Sequence, residues 1–512
     1  MSAQILAGVG KADITCRSEG TQCELLSEKT RAHIPREFWD KPILVDDPLF
    51  VRALVLDNGE RKIVLLTMDV TAVGSRSITQ YILNDSADDF VPNLRGRIAD
   101  EWGIPGSNVT VSASHTHPPG RLLADDDEQL DRSMAAIGQA LASMTPVTVG
   151  VGIGRNEDTV NRTMLLKNGT DYTPRGPYPP PPDELIEGLR PVDPEIGVLR
   201  FDWLDGRPLA VVYNFACHLS LESPRQVITA GWPGVASAYL EAQLGGEAAA
   251  FFVQGALGDT EEAQSHDREQ PKSCCQFGTA LGESVLRAWR GIEPSGNTAL
   301  NVISRTVEMP LRTDIPEVIA AIEAESAGLK ASLRYTSLSF KQFLPLYLKH
   351  VLHADYPSHQ PFRYLRADET GDLAFRTMDE RNRLAVDKYL ESLQAMEKMA
   401  RNEENIATLA KHQEIIDDIG AATVGLEIQA IRIADSVFVT APMEILAETG
   451  LKIKQTSPHD HTLIAAICNG YLHYSPPASY YPRGGYEVTE CLLAPEWEAI
   501  FDATVKELLA QV

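Results

Sequence analysis

The sequence predicts an α+β protein with a β-rich, sandwich-like core, flanking helices and a helical insert at about residues 315–420. Short β-branched runs recur on both sides of this insert, which is itself dense in Glu, Lys, Ala and Leu. The chain has 512 residues, of which 44% are hydrophobic. That length and composition are sufficient for a large packed core.

The part of the chain before the insert is predicted to alternate strands with single helices. Strands are expected at 51–56, 62–68, 108–111, 147–153, 197–201, 210–216 and 248–253, and helices at 75–97 and 128–144. The first two strands are joined by the turn Asp57-Asn58-Gly59-Glu60. Residues 172–192 are rich in proline and are predicted to form an extended surface loop.

The insert contains two long helical patterns, at 316–334 and 378–419. The second exceeds the usual length of a globular helix, so it is expected to break or to form part of a helical hairpin. The segment from Tyr335 to Tyr364, rich in aromatic residues and histidine, either packs the insert onto the core or overhangs the site as a lid. Strands are predicted to resume at 425–433 and 437–440, joined by a tight turn at 434–436.

The charge balance limits the partners of this protein. The formal net charge of −25 argues against nucleic acid and against anionic membranes, and favours solubility. The N-terminus lacks the basic and apolar regions of a signal peptide, and no apolar run reaches the roughly 18 residues needed to span a bilayer. A cytoplasmic protein without a stable membrane anchor is therefore expected.

Several predicted strands end in residues that bind metals. His115 and His117 follow the strand at 108–111, and two histidines at i, i+2 on a strand end point to the same side. His218 and Glu444 each follow a later strand. A catalytic zinc takes about three such N/O ligands and keeps one position for water. The alternatives are a hydrogen-bonded core position for each histidine and a helix N-terminus for Glu444.

Eight blocks of the sequence, in order from about residue 7 to residue 474, resemble those of the neutral/alkaline ceramidases, the non-lysosomal N-acylsphingosine amidohydrolases. The blocks are Ala7-Gly8-Val9-Gly10-Lys11-Ala12-Asp13-Ile14-Thr15, Asp47-Pro48-Leu49-Phe50-Val51-Arg52-Ala53, Ser114-His115-Thr116-His117, Asn161-Arg162, Asn214-Phe215-Ala216-Cys217-His218, Gly255-Ala256-Leu257-Gly258-Asp259, Ala441-Pro442-Met443-Glu444 and Asn469-Gly470-Tyr471-Leu472-His473-Tyr474. No block is specific by itself, but the order of the eight blocks along the chain is specific.

The resemblance implies a role for individual residues. The metal ligands would be His115, His218, Glu444 and Tyr474, with Tyr471 as a competitor for the last position. His117 would lie beside the metal and hydrogen-bond the substrate carbonyl. Arg162 and Tyr486 would position the scissile group, although an ordinary ion pair is the alternative for Arg162. The implied cofactor is Zn²⁺.

The chain departs from the resembling family at the position of the nucleophile. Ceramide-cleaving members carry Gly-Asp-Val-Ser-Pro, whereas Gly258-Asp259-Thr260-Glu261-Glu262 places Glu261 where that serine would be. A carboxylate beside a metal can accept a proton from water, so Glu261 is predicted to be the general base. Glu262 is its competitor, and both are alternatively solvated loop charges. Asp259 is expected either to cap the segment after it or to touch the site. The chain is also expected to lack the immunoglobulin-like C-terminal domain of full-length ceramidases.

Together these features predict a zinc-dependent hydrolase that cleaves an amide (N-acyl) bond in a small soluble substrate by metal-activated water. The alternatives are an ester or lactone hydrolase with the same metal site, and a catalytically silent metal-binding or interaction protein. Loss of the serine favours the silent protein, whereas retention of the other blocks argues against it. The insert is expected to serve as a scaffold or as the surface of a homo-oligomer.

Overall fold

A computed structural model describes residues 4–15, 44–75, 86–117, 126–174, 181–220, 227–245, 247–263 and 273–512. Within these residues the strands are β1 Ile5–Asp13, β2 Leu44–Val45, β3 Phe50–Asp57, β4 Lys62–Met68, β5 Val109–Ala113, β6 Thr145–Arg155, β7 Thr159–Asn161, β8 Met164–Leu166, β9 Asp171–Tyr172, β10 Ile186–Leu189, β11 Glu195–Trp203, β12 Pro208–Phe215, β13 Val227–Ile228, β14 Ala249–Gln254, β15 Thr260–Glu262, β16 Leu300–Pro310, β17 Thr423–Ile433, β18 Ser436–Thr440, β19 Glu444–Ile445, β20 His461–Ala465 and β21 Tyr474–Ser475. The helices are α1 Phe90–Trp102, α2 Asp126–Ala142, α3 Gly231–Leu244, α4 Cys274–Arg290, α5 Ile315–Ser332, α6 Phe340–Leu352, α7 Pro361–Thr370, α8 Ala374–Ile419, α9 Ala447–Thr456, α10 Tyr486–Thr489 and α11 Trp497–Leu509.

The chain divides into two compact units. The first, here the core unit, comprises Met1–Thr173, Pro181–Arg312 and Ile415–Val512. The second, here the insert unit, comprises Pro174–Pro180 and Thr313–Glu414.

Two main sheets form the core unit. The larger has eight strands in the order β14-β12-β11-β6-β1-β3-β4-β5, and the smaller has four in the order β16-β17-β18-β20. Most neighbours are antiparallel, but β12/β14 and β4/β5 in the larger sheet and β18/β20 in the smaller sheet are parallel. The core unit is therefore a mixed α+β structure, as the sequence predicts.

The two sheets pack face to face, and the pleat of β3 shows how. Leu54 and Leu56 lie in one buried cluster with Ile431 and Phe438 of the smaller sheet. Residues 51, 53 and 55 alternate with them and lie on the opposite face, in one buried cluster with residues of α1 and α2. Because both faces are covered, residues 53–56 are apolar without alternation.

Helices cover the outer faces of both sheets. On the larger sheet, α1 and α2 pack over one part, and α3 and α4 pack over the strands from β11 to β14 through residues such as Trp232 and Phe277. On the smaller sheet, α11 contributes Trp497 and Phe501. The resulting order of layers is helices, sheet, sheet, helices. This is the sandwich-like core with flanking helices that the sequence predicts.

The insert unit is helical in the part that the structure describes. Its helices are α5, α6, α7 and most of α8. Phe343 of α6 stacks on Tyr389 of α8 with ring centroids 4.4 Å apart. Asn402 of α8 donates to Glu325 of α5 over 3.0 Å. The pairing of α5 and α6 with one long helix builds a small independent cluster.

Three predicted elements differ from the structure. The predicted helix at 75–97 begins only at Phe90 and extends to Trp102, because Pro92 is tolerated in the first turn of a helix but not in its interior; residues 76–85 lie outside the described residues. The pattern at 378–419, predicted to break or to form part of a helical hairpin, does not break. The helix is continuous from Ala374 to Ile419, since it contains no Gly or Pro, and it packs against α5 and α6.

The third difference lies in the proline-rich segment predicted as a loop at 172–192. Ile186–Leu189 forms β10 and pairs with β8. A 3₁₀ turn at Asp183–Leu185 precedes it. The prolines at 179 and 180 lie outside the described residues. Residues 186–189 contain no proline and are compatible with a strand, so they pair with β8.

None of the described helices combines the length and the apolar character that crossing a bilayer requires.

Candidate metal centre

His115 and His117 converge through a tight turn rather than through strand alternation. Strand β5 ends at Ala113, and His115 has a φ of 66°, in the left-handed region that non-glycine residues seldom adopt. The backbone N–H of His115 donates to the carbonyl oxygen of Val70 over 2.9 Å, which holds the turn. The two ring centroids are 4.6 Å apart. The two histidines therefore face one site, as predicted, but a turn rather than strand alternation brings them together.

His218 approaches the same point from β12. Its backbone N–H donates to the carbonyl oxygen of Thr260 over 3.1 Å, and its ring Nδ1 lies 2.9 Å from the carbonyl oxygen of Leu257. The ring centroids of His115 and His218 are 5.1 Å apart. His115, His117 and His218 each offer one ring nitrogen, and these nitrogens lie within 4.8 Å of one another.

Glu444 completes the cluster from a short parallel ladder, in which β19 pairs with β21 and Glu444 lies opposite Tyr474. Its carboxylate is buried, with Oε2 3.0 Å from His218 Nε2 and Oε1 3.5 Å from His115 Nε2. The helix after this segment begins at Ala447, so Glu444 lies on a strand and not at a helix N-terminus. Tyr471 donates its hydroxyl hydrogen to Glu444 Oε1.

Burial keeps His115 neutral. It lowers the pKa of His115 to about 4, against the opposing attraction of Glu444. Burial would raise the pKa of Glu444, but the imidazoles of His115 and His218 reverse this and hold it below its usual range. Neutral imidazoles beside an ionised carboxylate are the protonation states that ligate a metal.

The hydrogen bonds of the two buried histidines show that the cluster fits a cation. Nδ1 of His115 lies 2.9 Å from the carbonyl oxygen of Thr71, and Nδ1 of His218 is bound likewise, so each Nδ1 carries a proton and each Nε2 is turned toward the carboxylate of Glu444. A metal ion between the two Nε2 atoms and the carboxylate oxygens would be bound by all of them. Two tetrahedral zinc ligands lie about 3.3–3.6 Å apart, close to the spacing found here.

Arg162 forms a second, linked network. Its Nε donates to Glu487 Oε1 over 3.0 Å, and its Nη2 donates to the Tyr474 hydroxyl over 3.2 Å and to the carbonyl oxygen of Gly258 over 2.8 Å. Its guanidinium lies 5.3 Å from the ring centroid of Tyr486. Burial alone would lower the pKa of Arg162, but Tyr474 and Glu487 raise it well above normal. The arginine therefore stays charged and is held rigidly.

The two predicted site tyrosines belong to this network. Tyr474 stacks on His218 with ring centroids 6.2 Å apart, and it packs edge-on against Tyr486 at 5.3 Å. Its hydroxyl contacts Arg162, whereas the hydroxyl of Tyr471 contacts Glu444. Burial raises the pKa of the Tyr471 and Tyr474 phenols well above the usual value. Seven of the eight predicted site residues thus lie in two connected groups.

Glu261 is the predicted residue that the structure leaves apart. It lies half-buried in the middle of β15, paired with Val160 of β7. Within the described ranges its side chain makes no hydrogen bond or ion pair. Its neighbour Glu262 is buried and accepts the backbone N–H of Ser220 through both carboxylate oxygens, at 3.1 and 3.0 Å. Glu262 is therefore a structural acid, while the role of Glu261 stays a prediction.

Two further acidic residues lie near the site, and one of them, Glu487, was not predicted from the sequence. Glu487 holds Arg162, and the only sequence signal for it is its position next to Tyr486. Asp259 was predicted to cap the segment after it or to touch the site. Instead its buried carboxylate accepts the backbone N–H of Ala447 over 2.9 Å and the Asn161 side chain over 2.7 Å. It thereby ties the residue before Arg162 to the segment that carries Glu444, and burial raises its pKa to about 6.

Comparison with solved structures identifies the fold. A crystal structure of neutral ceramidase from Pseudomonas aeruginosa superposes with a TM-score of 0.61 at 15% identity, covering 99% of this chain and 74% of that one. The chain has the neutral ceramidase fold. A structure described as ceramidase complexed with C2 matches it with a TM-score of 0.60 at 14% identity, covering 99% of this chain and 75% of that one. No protein-family model and no curated protein sequence matches the chain.

The ceramidase fold confirms the architecture implied by the sequence blocks. Sequence identity to these structures is low. Individual residues are therefore matched through the order of the sequence blocks and the geometry of the cluster, and not through overall similarity. The histidine and glutamate side chains described above could bind a metal ion.

Proposed function

We propose that this protein is a zinc-dependent hydrolase that cleaves an amide (N-acyl) bond in a small soluble substrate. The observation that carries the proposal is the buried meeting of the Nε2 atoms of His115 and His218 with the carboxylate of Glu444, a set of donors that suits a metal ion. The ceramidase fold supports an amide as the scissile group, since ceramidase is what the similar solved structures are called.

The proposed ligands are His115, His218, Glu444 and Tyr474. A zinc ion held by them would act as a Lewis acid on the substrate carbonyl and lower the pKa of a water molecule. The backbone carbonyls bound to both Nδ1 atoms fix the tautomer and the ring orientation of the two histidines, as partners of metal-bound histidines commonly do. Tyr471, through its hydrogen bond to Glu444, restrains the carboxylate.

The substrate would be oriented by the residues beside this centre. The ring of His117 is exposed, unlike those of His115 and His218, so it is available to a ligand. As a neutral imidazole it can donate a hydrogen bond to the scissile carbonyl. Arg162 and Tyr486 would position the scissile group from the other side, with Arg162 held in place by Glu487. A pre-set arrangement of this kind lowers the entropic cost of reaching the transition state.

The proposal is tested by elemental analysis followed by a substrate panel. Freshly purified protein is expected to hold about one zinc per chain and to hydrolyse N-acyl amino acids or simple amides faster than esters, with ceramide as the reference lipid amide. Removal of zinc with a chelator should abolish turnover, and added zinc should restore it. Hydrolysis of esters alone would refute the amide assignment, and a protein without transition metal would refute the zinc centre.

Glu261 is proposed as the base that takes the proton from water and passes it to the leaving amine. Glu261 follows Thr260, whose carbonyl oxygen accepts the backbone N–H of His218, and this position supports the role. The side chain of Glu261 also makes no competing hydrogen bond or ion pair among the described residues. Glu261→Gln is expected to retain zinc and to lose on the order of 10²-fold or more in turnover, because the amide cannot accept the proton. No acyl-enzyme should accumulate, since the chain lacks the serine nucleophile.

Glu262→Gln is the matched control for this prediction. It changes the neighbouring acid in the same strand, and its effect should appear in stability rather than in turnover, because Glu262 binds the backbone of Ser220. Full activity in Glu261→Gln would remove Glu261 from the mechanism and leave His117 as the remaining proton acceptor.

A further inference from the structure

A single glutamine side chain bridges the two histidine-bearing turns of the metal centre. Gln254, the last residue of β14, is fully buried. Its side-chain amide nitrogen donates to the carbonyl oxygen of Ser114 over 3.2 Å and to that of Cys217 over 3.0 Å. These two carbonyls belong to the residues immediately before His115 and His218. One planar amide therefore joins two segments that are distant in the sequence.

The orientation of this amide is fixed by its surroundings. Its Oε1 accepts the backbone N–H of Gly255 over 3.0 Å. In the flipped orientation, Oε1 would face two carbonyl oxygens and be repelled by both. Because a missing hydrogen bond is costly in the interior, the side chain has one favourable arrangement. An uncharged amide also supplies two N–H groups here without placing a second cation beside a metal ion.

The peptide groups that Gln254 holds by their oxygens are also held by their N–H groups. The backbone N–H of His115 donates to Val70 over 2.9 Å, and that of His218 donates to Thr260 over 3.1 Å. Neither peptide plane can therefore rotate without breaking a hydrogen bond. This restraint matters most at His115, because a φ of 66° persists in a non-glycine residue only where the surroundings hold it.

The backbone of Gln254 extends the link to the segment that carries Glu444. Its carbonyl oxygen accepts the backbone N–H of Ala466 over 3.0 Å. The next residue, Ile467, donates to the carbonyl oxygen of Met443 over 3.4 Å, and Met443 immediately precedes Glu444. Gln254 is thus tied, directly or through one neighbouring residue, to the residue before each of three proposed ligands.

We propose that Gln254 is a positioning residue of the metal centre, whose amide sets the spacing of the two ligand histidines. The inference rests on the zinc centre proposed above. Gln254 supplies no ligand atom and acts only through the backbone of His115 and His218. Outer partners of metal ligands typically contribute about 10–100-fold to metal affinity. Fixing both histidines in the folded chain leaves little ordering to be done when the ion binds.

The test is Gln254→Met, which keeps the length of the side chain and removes both N–H donors. Zinc affinity, measured by competition with a chromophoric chelator, is expected to fall by about 10–100-fold. With Co²⁺ in place of zinc, the visible absorption bands should differ from those of the wild type, because they depend on ligand geometry. Turnover of the zinc-loaded variant should fall while KM changes little, since the residues proposed to contact the substrate are unaltered.

Asn214→Leu is the matched control. The side-chain amide of Asn214 is also buried and also donates to two carbonyl oxygens, those of Val253 over 2.9 Å and Ile464 over 2.7 Å. Neither carbonyl precedes a proposed ligand. Asn214→Leu should therefore lose stability, as Gln254→Met does, but keep the zinc affinity and the Co²⁺ spectrum of the wild type. Denaturant unfolding of the metal-free proteins measures the loss of stability separately.

Gln254→Leu removes the same donors with a side chain of different shape, and it takes the place of Gln254→Met if that variant does not fold. Wild-type zinc affinity and an unchanged Co²⁺ spectrum in these variants would overturn the inference and leave the zinc centre standing. An equal loss of affinity in Asn214→Leu would also overturn it, because general destabilisation would then explain the loss. A wild-type protein that binds neither zinc nor Co²⁺ would refute the zinc centre itself, and this inference with it.

Discussion

The variant His218→Ala is expected to lose its zinc and its activity together. The imidazole of His218 lies 3.0 Å from Glu444 and is oriented by the carbonyl of Leu257, so its removal leaves the centre one ligand short. Changing a partner that merely orients a ligand typically costs 10–100-fold in metal affinity, and loss of the ligand itself should exceed about 10²-fold. Elemental analysis after dialysis and titration with zinc measure this directly.

His353→Ala is the matched control, because His353 is an exposed histidine of the insert unit. It should keep the zinc content of the wild type. A chelator should lower the thermal midpoint of the wild type and of His353→Ala but not that of His218→Ala, since only a bound metal stabilises the folded state by mass action. Wild-type zinc content in His218→Ala would contradict the ligand assignment.

Replacement of Arg162 by methionine should cost up to about 3–5 kcal/mol of stability, because it leaves the buried carboxylate of Glu487 without its cation. The double variant Arg162→Met/Glu487→Gln removes both charges and should recover most of that loss. If Arg162 also positions the substrate, turnover stays low in the double variant. Denaturant unfolding and steady-state kinetics on the same preparations separate the two roles.

The pair Arg95→Met and Arg95→Met/Glu427→Gln controls for the chemistry of the change. Arg95 and Glu427 form a half-buried ion pair at 2.8 Å between α1 and β17, and neither residue contacts the metal cluster in the ranges that the structure describes. These variants should lower stability and leave turnover unchanged. Recovery of both stability and turnover in Arg162→Met/Glu487→Gln would make Arg162 an ordinary structural arginine.

The strands nearest the site could be predicted from local sequence. Predicted strands at 51–56 and 62–68 correspond to Phe50–Asp57 and Lys62–Met68, because β-branched runs bounded by a strong turn leave few alternatives. Helix ends were less predictable. The start of α1 depends on one proline in the first turn, and α8 stays continuous although its length favoured a break or a hairpin.

By itself, then, the sequence determined the fold class, the order of the blocks and the residue types of the metal centre, since these follow from local composition and from motifs. The tertiary structure decided how those residues meet. His115 and Glu444 are 329 positions apart, and they converge because two sheets pack together, because His115 adopts a left-handed turn, and because β19 pairs with β21. Among the described residues, Glu261 makes no hydrogen bond or ion pair with the other predicted residues. A side chain's neighbours depend on packing and backbone hydrogen bonds between distant segments, and no local pattern encodes them.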